Sequence, residues 1–391
     1  MADPVAWTFA CGGEIVEQLD ALTDVLPAEN GVEQRRGLRL SPRTTLEFSG
    51  LEEGAARRHL EHLLHANGAG RWWVPFPMDR GALPEPLAAG ATAVPVDTRW
   101  RHYRAGGRAL LLGATPRDYE LVDVDEVASD ALTLAEPTVR DWPAGTAVLP
   151  VALARLDGMP SLSRFTSDAV PYQVRFLFEE PVDWPATAGA AEYRDVPVLE
   201  VAPDWGDDPA WTPERQFVEE DNGTAPPARF DPQGGPRGLA MRNYTLLSME
   251  QAAAFRSLLY ALDGRRCPIW LPSLAGDLQV VANVSNGATT LDVGWTGLSA
   301  WPLAQGRRDL RIQLRSGTVL YRRITAATAV GDDVERLTLD AAIGTGFTAA
   351  QVALVSFLVP VRQEADAVVL RWWSHGTASA QLSFRGLRDG L

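Results

Sequence analysis

Arg71-Trp72-Trp73-Val74-Pro75-Phe76 closes a run with helical spacing, and about 197 residues later Arg266-Cys267-Pro268-Ile269-Trp270-Leu271-Pro272 closes another. Each run ends in a small turn, Leu63-Leu64-His65-Ala66-Asn67-Gly68 in the first case and Leu258-Leu259-Tyr260-Ala261-Leu262-Asp263-Gly264 in the second. A basic residue, a tryptophan and a proline follow each turn. Downstream, Gly90-Ala91-Thr92 answers Gly287-Ala288-Thr289, Gly107-Arg108 answers Gly306-Arg307, and Leu132-Thr133-Leu134 answers Leu337-Thr338-Leu339. The offset drifts only from about 195 to 205, so the match is collinear. That period is far too long for a solenoid or propeller and means two copies of a whole domain.

With 391 residues the chain is comfortable for two domains. Its 46% hydrophobic and 22% charged content is that of a soluble globular protein, and no apolar run approaches the roughly 20 residues of a membrane span. Met1-Ala2-Asp3-Pro4 lacks the basic segment and apolar core of a secretory signal, so none is expected. A net charge of -14 argues against a nucleic-acid partner, whose phosphates it would repel. Cys11 and Cys267 lie in different halves, with no partner at metal-ligand spacing, and read as buried reduced thiols.

Along the chain, Trp7-Thr8-Phe9-Ala10 reads as a strand, 23–27 and Asn30-Gly31 as turns, and 44–48 as a strand. Residues 51–65 read as a helix with Ala55, Ala56, Leu60, Leu63 and Leu64 on one stripe, stopped by Asn67-Gly68. Short β runs follow at 91–96, 108–112, 119–122 and 131–134, the pattern of a small sandwich or barrel inserted before the strand at 170–178. Residues 183–240 form a long opening arm with large apolar anchors, including Val198, Leu199, Val201, Trp205, Trp211 and Phe217. The pattern then repeats: a strand at 244–247, a helix at 249–262, insert strands at 287–293, 310–314 and 336–339, and core strands at 352–360, 367–373 and 380–384. The expected class is mainly β with a few helices. The first copy covers 1–182 with an insert at about 77–148, and the second covers 183–391 with an arm at 183–240 and an insert at about 274–350.

Candidate chemistry is sparse. His59, His62 and His65 cannot converge on one metal, because helix positions six apart lie about 120° apart. The carboxylate pairs Glu52-Glu53, Glu179-Glu180, Asp207-Asp208 and Asp332-Asp333 have no histidine near them and read as solvated. No Gly-x-Ser-x-Gly elbow, phosphate loop or zinc-protease helix occurs, so no catalytic residue, metal or cofactor is expected. Trp72-Trp73 and Trp372-Trp373 could stack on sugars, but in a strand one member of each pair faces the core. Trp72, Trp73, Pro75, Trp270 and Pro272 therefore read as structural anchors between helix and sheet. The polar stretch Asp24, Glu33, Gln34, Arg35, Arg36, Arg39 and Arg43 reads either as a solvated loop or, more sharply, as a docking arm whose arginines meet carboxylates of a neighbouring subunit.

These residues carry a resemblance. Thr23-Asp24-Val25-Leu26, with Glu33-Gln34-Arg35, Leu38-Arg39 and Pro42-Arg43, resembles the opening of tail-tip proteins of long-tailed bacteriophages. Pro203-Asp204-Trp205 with Glu214-Arg215 resembles a second signature, with Asp204 where asparagine is expected. Gly264-Arg265-Arg266 with Ile269-Trp270-Leu271-Pro272, and Phe357-Leu358-Val359-Pro360-Val361-Arg362, is similar to the helix and closing strand of distal tail proteins.

The resemblance implies two tandem tail-tube-like β-sandwich domains, each with a flanking helix, assembled as a ring in the virion after synthesis in the host cytoplasm. Such a ring is structural and non-catalytic, and joins the tail tube protein to the hub and to receptor-binding or fibre proteins. Three chains would build it as a pseudo-hexamer; six chains with the second copy outward are the alternative. Glu33, Arg35, Arg36, Arg39, Arg43, Trp205 and Arg215 are the interface candidates, and Arg35→Glu is expected to spare the monomer and impair the ring. A different reading is a carbohydrate-binding adhesin, with the inserts at 87–148 and 284–350 presenting Trp100, Tyr103, Trp142, Trp295 and Trp301 to sugar rings.

Overall fold

The structure, a computed structural model, describes residues 3–388 apart from 10, 29, 165 and 302 and the side chain of residue 207. Ala10 of the expected first strand thus lies outside the described residues. Strands make up 45% of the chain and helix 9%, so it is a mainly β protein with two α-helices. No described helix is long and apolar enough to cross a membrane.

Strand pairing shows the same scaffold twice. Arg43–Glu53, the helix α1 (Gly54–Asn67), Arg71–Pro75, Ala147–Leu156 and Ala169–Phe178 form the first repeat. Arg237–Leu246, α2 (Met249–Leu262), Ile269–Pro272, Val352–Gln363 and Thr377–Gly386 form the second. Val151 faces Pro75 and Arg108, as Leu358 faces Pro272 and Asp309. A β-bulge interrupts Tyr119–Val127 after Val124 and Val319–Ala329 after Ile324. The backbone N–H of Leu134 donates to Thr92 O at 2.8 Å, and that of Leu339 donates to Thr289 O at the same distance. One cross-strand ion pair is kept with its charges exchanged, Arg108–Asp123 in the first repeat and Asp309–Arg323 in the second. This register aligns Gly107 with Arg308, because each carbonyl accepts the N–H of the residue at which the bulge opens (Val124, Ile324), so the expected match of Gly107-Arg108 to Gly306-Arg307 is two residues out.

Several boundaries differ from expectation for physical reasons. Residues 51–53 continue the strand Arg43–Glu53, because that strand pairs over nine residues with Ala169–Phe178. The helix begins at Gly54, so Ala55 is exposed and only Leu60 and Leu64 of the expected stripe are buried. Thr23–Pro27 is a strand rather than a turn; it pairs with Glu33–Gly37, and the turn between them uses Gly31 at φ +82°. Gly12–Asp20 and Val319–Ala329 are strands that the hydrophobic pattern does not announce. Ser248 caps α2: its hydroxyl accepts from Gln251 N while Gln251 Oε1 accepts from Leu247 N.

Each insert curls around its own core, with Val94, Leu111, Leu132 and Trp142 in the first and Leu291, Ile312, Leu337 and Phe347 in the second. The scaffolds, in contrast, share one core. Leu46, Phe48 and Trp72 belong to the same packed cluster as Phe255, Leu259 and Trp372. Gly12–Asp20 ties them together, pairing on one side with Arg43–Glu53 and on the other with Ala367–Ser374.

Alternation along Gly12–Asp20 turns Ile15, Glu17 and Leu19 inward. Glu17 is therefore a fully buried carboxylate, and it meets Arg256 of α2, equally buried, at 2.8 Å. The Trp372 indole N–H donates to the same carboxylate at 2.9 Å. Replacing one member of such a pair strands a charge in the core at a cost of about 3–5 kcal/mol, whereas an apolar pair of similar volume can be neutral. Denaturant unfolding of Arg256→Met is thus expected to show a loss of that size, largely recovered in the double variant Glu17→Leu/Arg256→Met. Equal loss in single and double variants would remove the pair from this role.

Candidate functional site

A cluster of buried polar groups lies where the repeats meet. Phe178, Phe76 and His102 stack in a column, with centroids 5.0 and 4.2 Å apart. The Trp184 ring is 4.8 Å beyond His102, and the Arg256 guanidinium lies over both Trp184 and Trp372. Asp79 is fully buried beneath this column, with Oδ2 2.5 Å from His102 Nδ1 and 2.8 Å from the His102 backbone N–H. Burial alone would raise the Asp79 carboxyl, but His102 and the Arg256 cation outweigh it and hold it below the usual carboxylate range. Likewise burial would lower Arg256, and Glu17 and Asp79 keep it charged. A cleft of about 520 Å³ opens beside the column, lined by Phe76, His102, Trp184 and Ser257. The Trp184 indole N–H already donates to Ser257 Oγ, so the arrangement is that of a clamped joint.

The expected arm divides in two. Glu33 and Arg35 face inward: Arg35 Nε donates to Glu33 at 2.9 Å, and Arg35 Nη1 donates to the Arg265 carbonyl at 2.6 Å. Arg237 of the second repeat reaches Glu33 at 3.1 Å, and Arg362 lies 3.9 Å from it. Burial works against the Glu33 charge, but Arg35 and Arg237 hold its pKa below the ordinary value. Arg39 donates to the carbonyls of Asp20 and Ala21, while Arg36 and Arg43 are exposed. Because Arg35 is spent inside the chain, Arg35→Glu would set two carboxylates together in the joint. The expectation that it spares the monomer is therefore corrected.

In the second arm Trp205 is exposed and Arg215 pairs with Asp231 at 3.2 Å. Trp72 and Trp270 are fully buried, Pro75 and Pro272 lie in buried strands, and half-buried Trp73 carries the Arg108 guanidinium over its ring. Trp373 is exposed where its neighbour Trp372 is buried, the alternation a strand imposes.

One of the glycan candidates, Trp142, is removed by burial. Trp142 sits in the first insert core with its indole N–H donating to Glu120, and the half-buried Tyr103 donates its hydroxyl to the Val148 carbonyl. Trp100 is exposed under Arg99. Trp295 and Trp301 are exposed together, flanking Gly297. Their loop is held by Glu335, whose fully buried carboxylate accepts from the N–H and hydroxyl of both Thr296 and Ser299 at 2.6–2.8 Å. Sequence reading missed this acid, although Thr296 and Ser299 beside two tryptophans were a usable signal.

Among the described residues no three potential ligands gather for a metal, and His59 instead lies against Phe9. Cys11 and Cys267 are half-buried and unbridged. Glu179 pairs with Arg71 and Glu180 with Arg104.

Burial would raise the Glu335 carboxyl, but its four donors lower it from 4.5 to about 2. The folded value lies below the unfolded one, so this contribution is full above about pH 4.5 and is lost as pH falls towards about 2. Glu335→Gln is expected to cost about 1–3 kcal/mol and to flatten the acid limb of a stability–pH profile. An unchanged limb would contradict the assignment. No family profile and no curated protein matches the chain.

Proposed function

We propose that this chain is a structural, non-catalytic component of a bacteriophage tail tip or baseplate, forming a ring between the tail tube and the central hub. Its partners are then copies of itself, the tail tube protein, the hub protein and receptor-binding or fibre proteins. Tandem tail-tube-like sandwiches would be the fold in that setting, and the virion its location. The observation that carries this reading is the second arm. Trp205, Trp211, Phe217, Val218 and Phe230 are all exposed on one segment, a quantity of apolar surface that an isolated chain does not cover. The duplicated scaffold and the tail-tip motifs at 23–43, 203–215 and 264–272 support the same reading.

A second reading keeps one specific support. Trp295 and Trp301 form an exposed aromatic pair, on a loop held by Glu335, of the kind that stacks on sugar rings, which suits a carbohydrate-binding adhesin.

Protein mass spectrometry of purified phage particles separates the two readings. The tail-tip reading expects the chain in the tail fraction at a fixed ratio of three or six per particle, with a coding sequence beside that of the tape-measure protein. Absence from tails, together with glycan-array binding lost in Trp295→Ala, would replace it with the adhesin.

A further inference from the structure

The chain builds the same opening arm twice and docks only one of them. In the first repeat the strand Gly12–Asp20 leads into the hairpin Thr23–Pro27/Glu33–Gly37; in the second Ala210–Glu214 leads into Val218–Glu220/Ala228–Phe230. Asp20 faces Arg43 as Glu214 faces Arg237, which fixes the correspondence.

The first arm docks on the second repeat of its own chain. Its strand pairs with Ala367–Ser374, the Thr23 N–H and hydroxyl donate to Asp366 at 2.8 and 2.7 Å, and Glu33 lies against Arg237 and Arg362. Among the described residues the second arm has no such seat: every residue of its three short strands is exposed, and it is tied to the scaffold by the pairing of Ala210–Glu214 with Arg237–Leu246 and by Glu214–Arg385 at 3.0 Å. Its hairpin shows Phe217, Val218 and Phe230 to solvent and carries Glu219, Glu220 and Asp221 at its tip.

The matching seat is on the first repeat. Arg43 corresponds to Arg237, and Arg155, facing Leu177, corresponds to Arg362, facing Arg385. Both are exposed and, among the described residues, neither is in an ion pair. Where the second repeat has Ala367–Ser374, the described residues between Leu156 and Ala169 form no strand.

We infer that the second arm docks on the first repeat of another copy of this chain, reproducing between chains the contact that the first arm makes within one. Ala210–Glu214 extends the neighbour's sheet, Glu220 and Asp221 meet its Arg43 and Arg155, and Phe217, Val218 and Phe230 leave water. An exposed edge strand is a template for such pairing. The contact is head-to-tail, so it repeats from chain to chain and closes into a ring where its rotation permits. It shares with the tail-tip reading only the ring, and it is tested without a virion.

Complementary variants provide the test, read as particle mass in solution. Phe217→Asp/Phe230→Asp spoils the arm and spares the seat; Arg43→Glu/Arg155→Glu does the reverse. All four positions are exposed, so both chains are expected to fold. The natural chain should form assemblies of three or more, and each variant alone should remain a single chain. Their equimolar mixture should form a complex of two chains and no more, because one good arm meets one good seat. A natural chain that stays monomeric, an arm variant that assembles normally, or a mixture that yields no two-chain complex would each overturn the inference. Two-chain capping with no copy found in virions would leave it standing and remove only the tail-tip role.

Discussion

Arg256 can lie wholly buried only because Glu17 lies against it, and much of the arrangement follows from that pair. A guanidinium in a protein core carries a desolvation cost of several kcal/mol, which a close carboxylate and flat aromatic faces can offset. Glu17 comes from the first repeat's arm, while Arg256 and Trp372 come from the second repeat. The charges are therefore satisfied only when the two scaffolds sit together in this register. Asp79 adds a second buried carboxylate whose charge also acts on Arg256, and His102 and Trp184 extend the joint as a stack. The duplication is thus not two independent beads but a pair locked by one unpartitionable polar contact.

The same pair explains where sequence reading stopped. The duplicated scaffold was legible because its signals are local: the Trp-Pro exits at 73–75 and 270–272, the helix pattern at 249–262, and the strands at 108–112 and 131–134 have the observed bounds or lie close to them. Gly12–Asp20 was not legible, because a glutamate on its core face breaks the apolar alternation that marks a strand. Its charge makes sense only beside Arg256, 239 positions away. The hairpin at 23–37 was hidden for a related reason. Pro27 and Asn30-Gly31 announce a turn, while the polar strands flanking it are held by Asp366, Arg237 and Arg265 from the other repeat. The mainly β class needed none of these long-range partners. Trp142 looked available because composition shows an aromatic and not the insert core that closes over it.

The two repeats have diverged in what they leave uncovered. In the first, the arm is consumed by the chain's own second half, and its arginine-rich stretch is an internal fastening. In the second, the equivalent arm keeps its hairpin shape through Glu219–Arg229 and Arg215–Asp231 but presents its apolar side chains to water. A folded hairpin whose strand residues are all exposed is costly to keep unless something covers it, and the internal contact describes a surface able to do so. The second insert differs in kind, since Glu335 spends four hydrogen bonds on fixing a loop that carries two exposed indoles. The arms and the inserts thus differ in what they leave exposed.

The central claim is that one contact geometry is used twice, within the chain and between chains. Electron cryomicroscopy of the assembled protein addresses it directly, by superposing the joint between the two repeats on the junction between neighbouring chains. The account predicts that the two coincide, with Ala210–Glu214 of one chain set against the first repeat of the next as Gly12–Asp20 is set against Ala367–Ser374. Density in which the outer edge of Ala210–Glu214 faces solvent, or in which chains meet through identical faces, would contradict it.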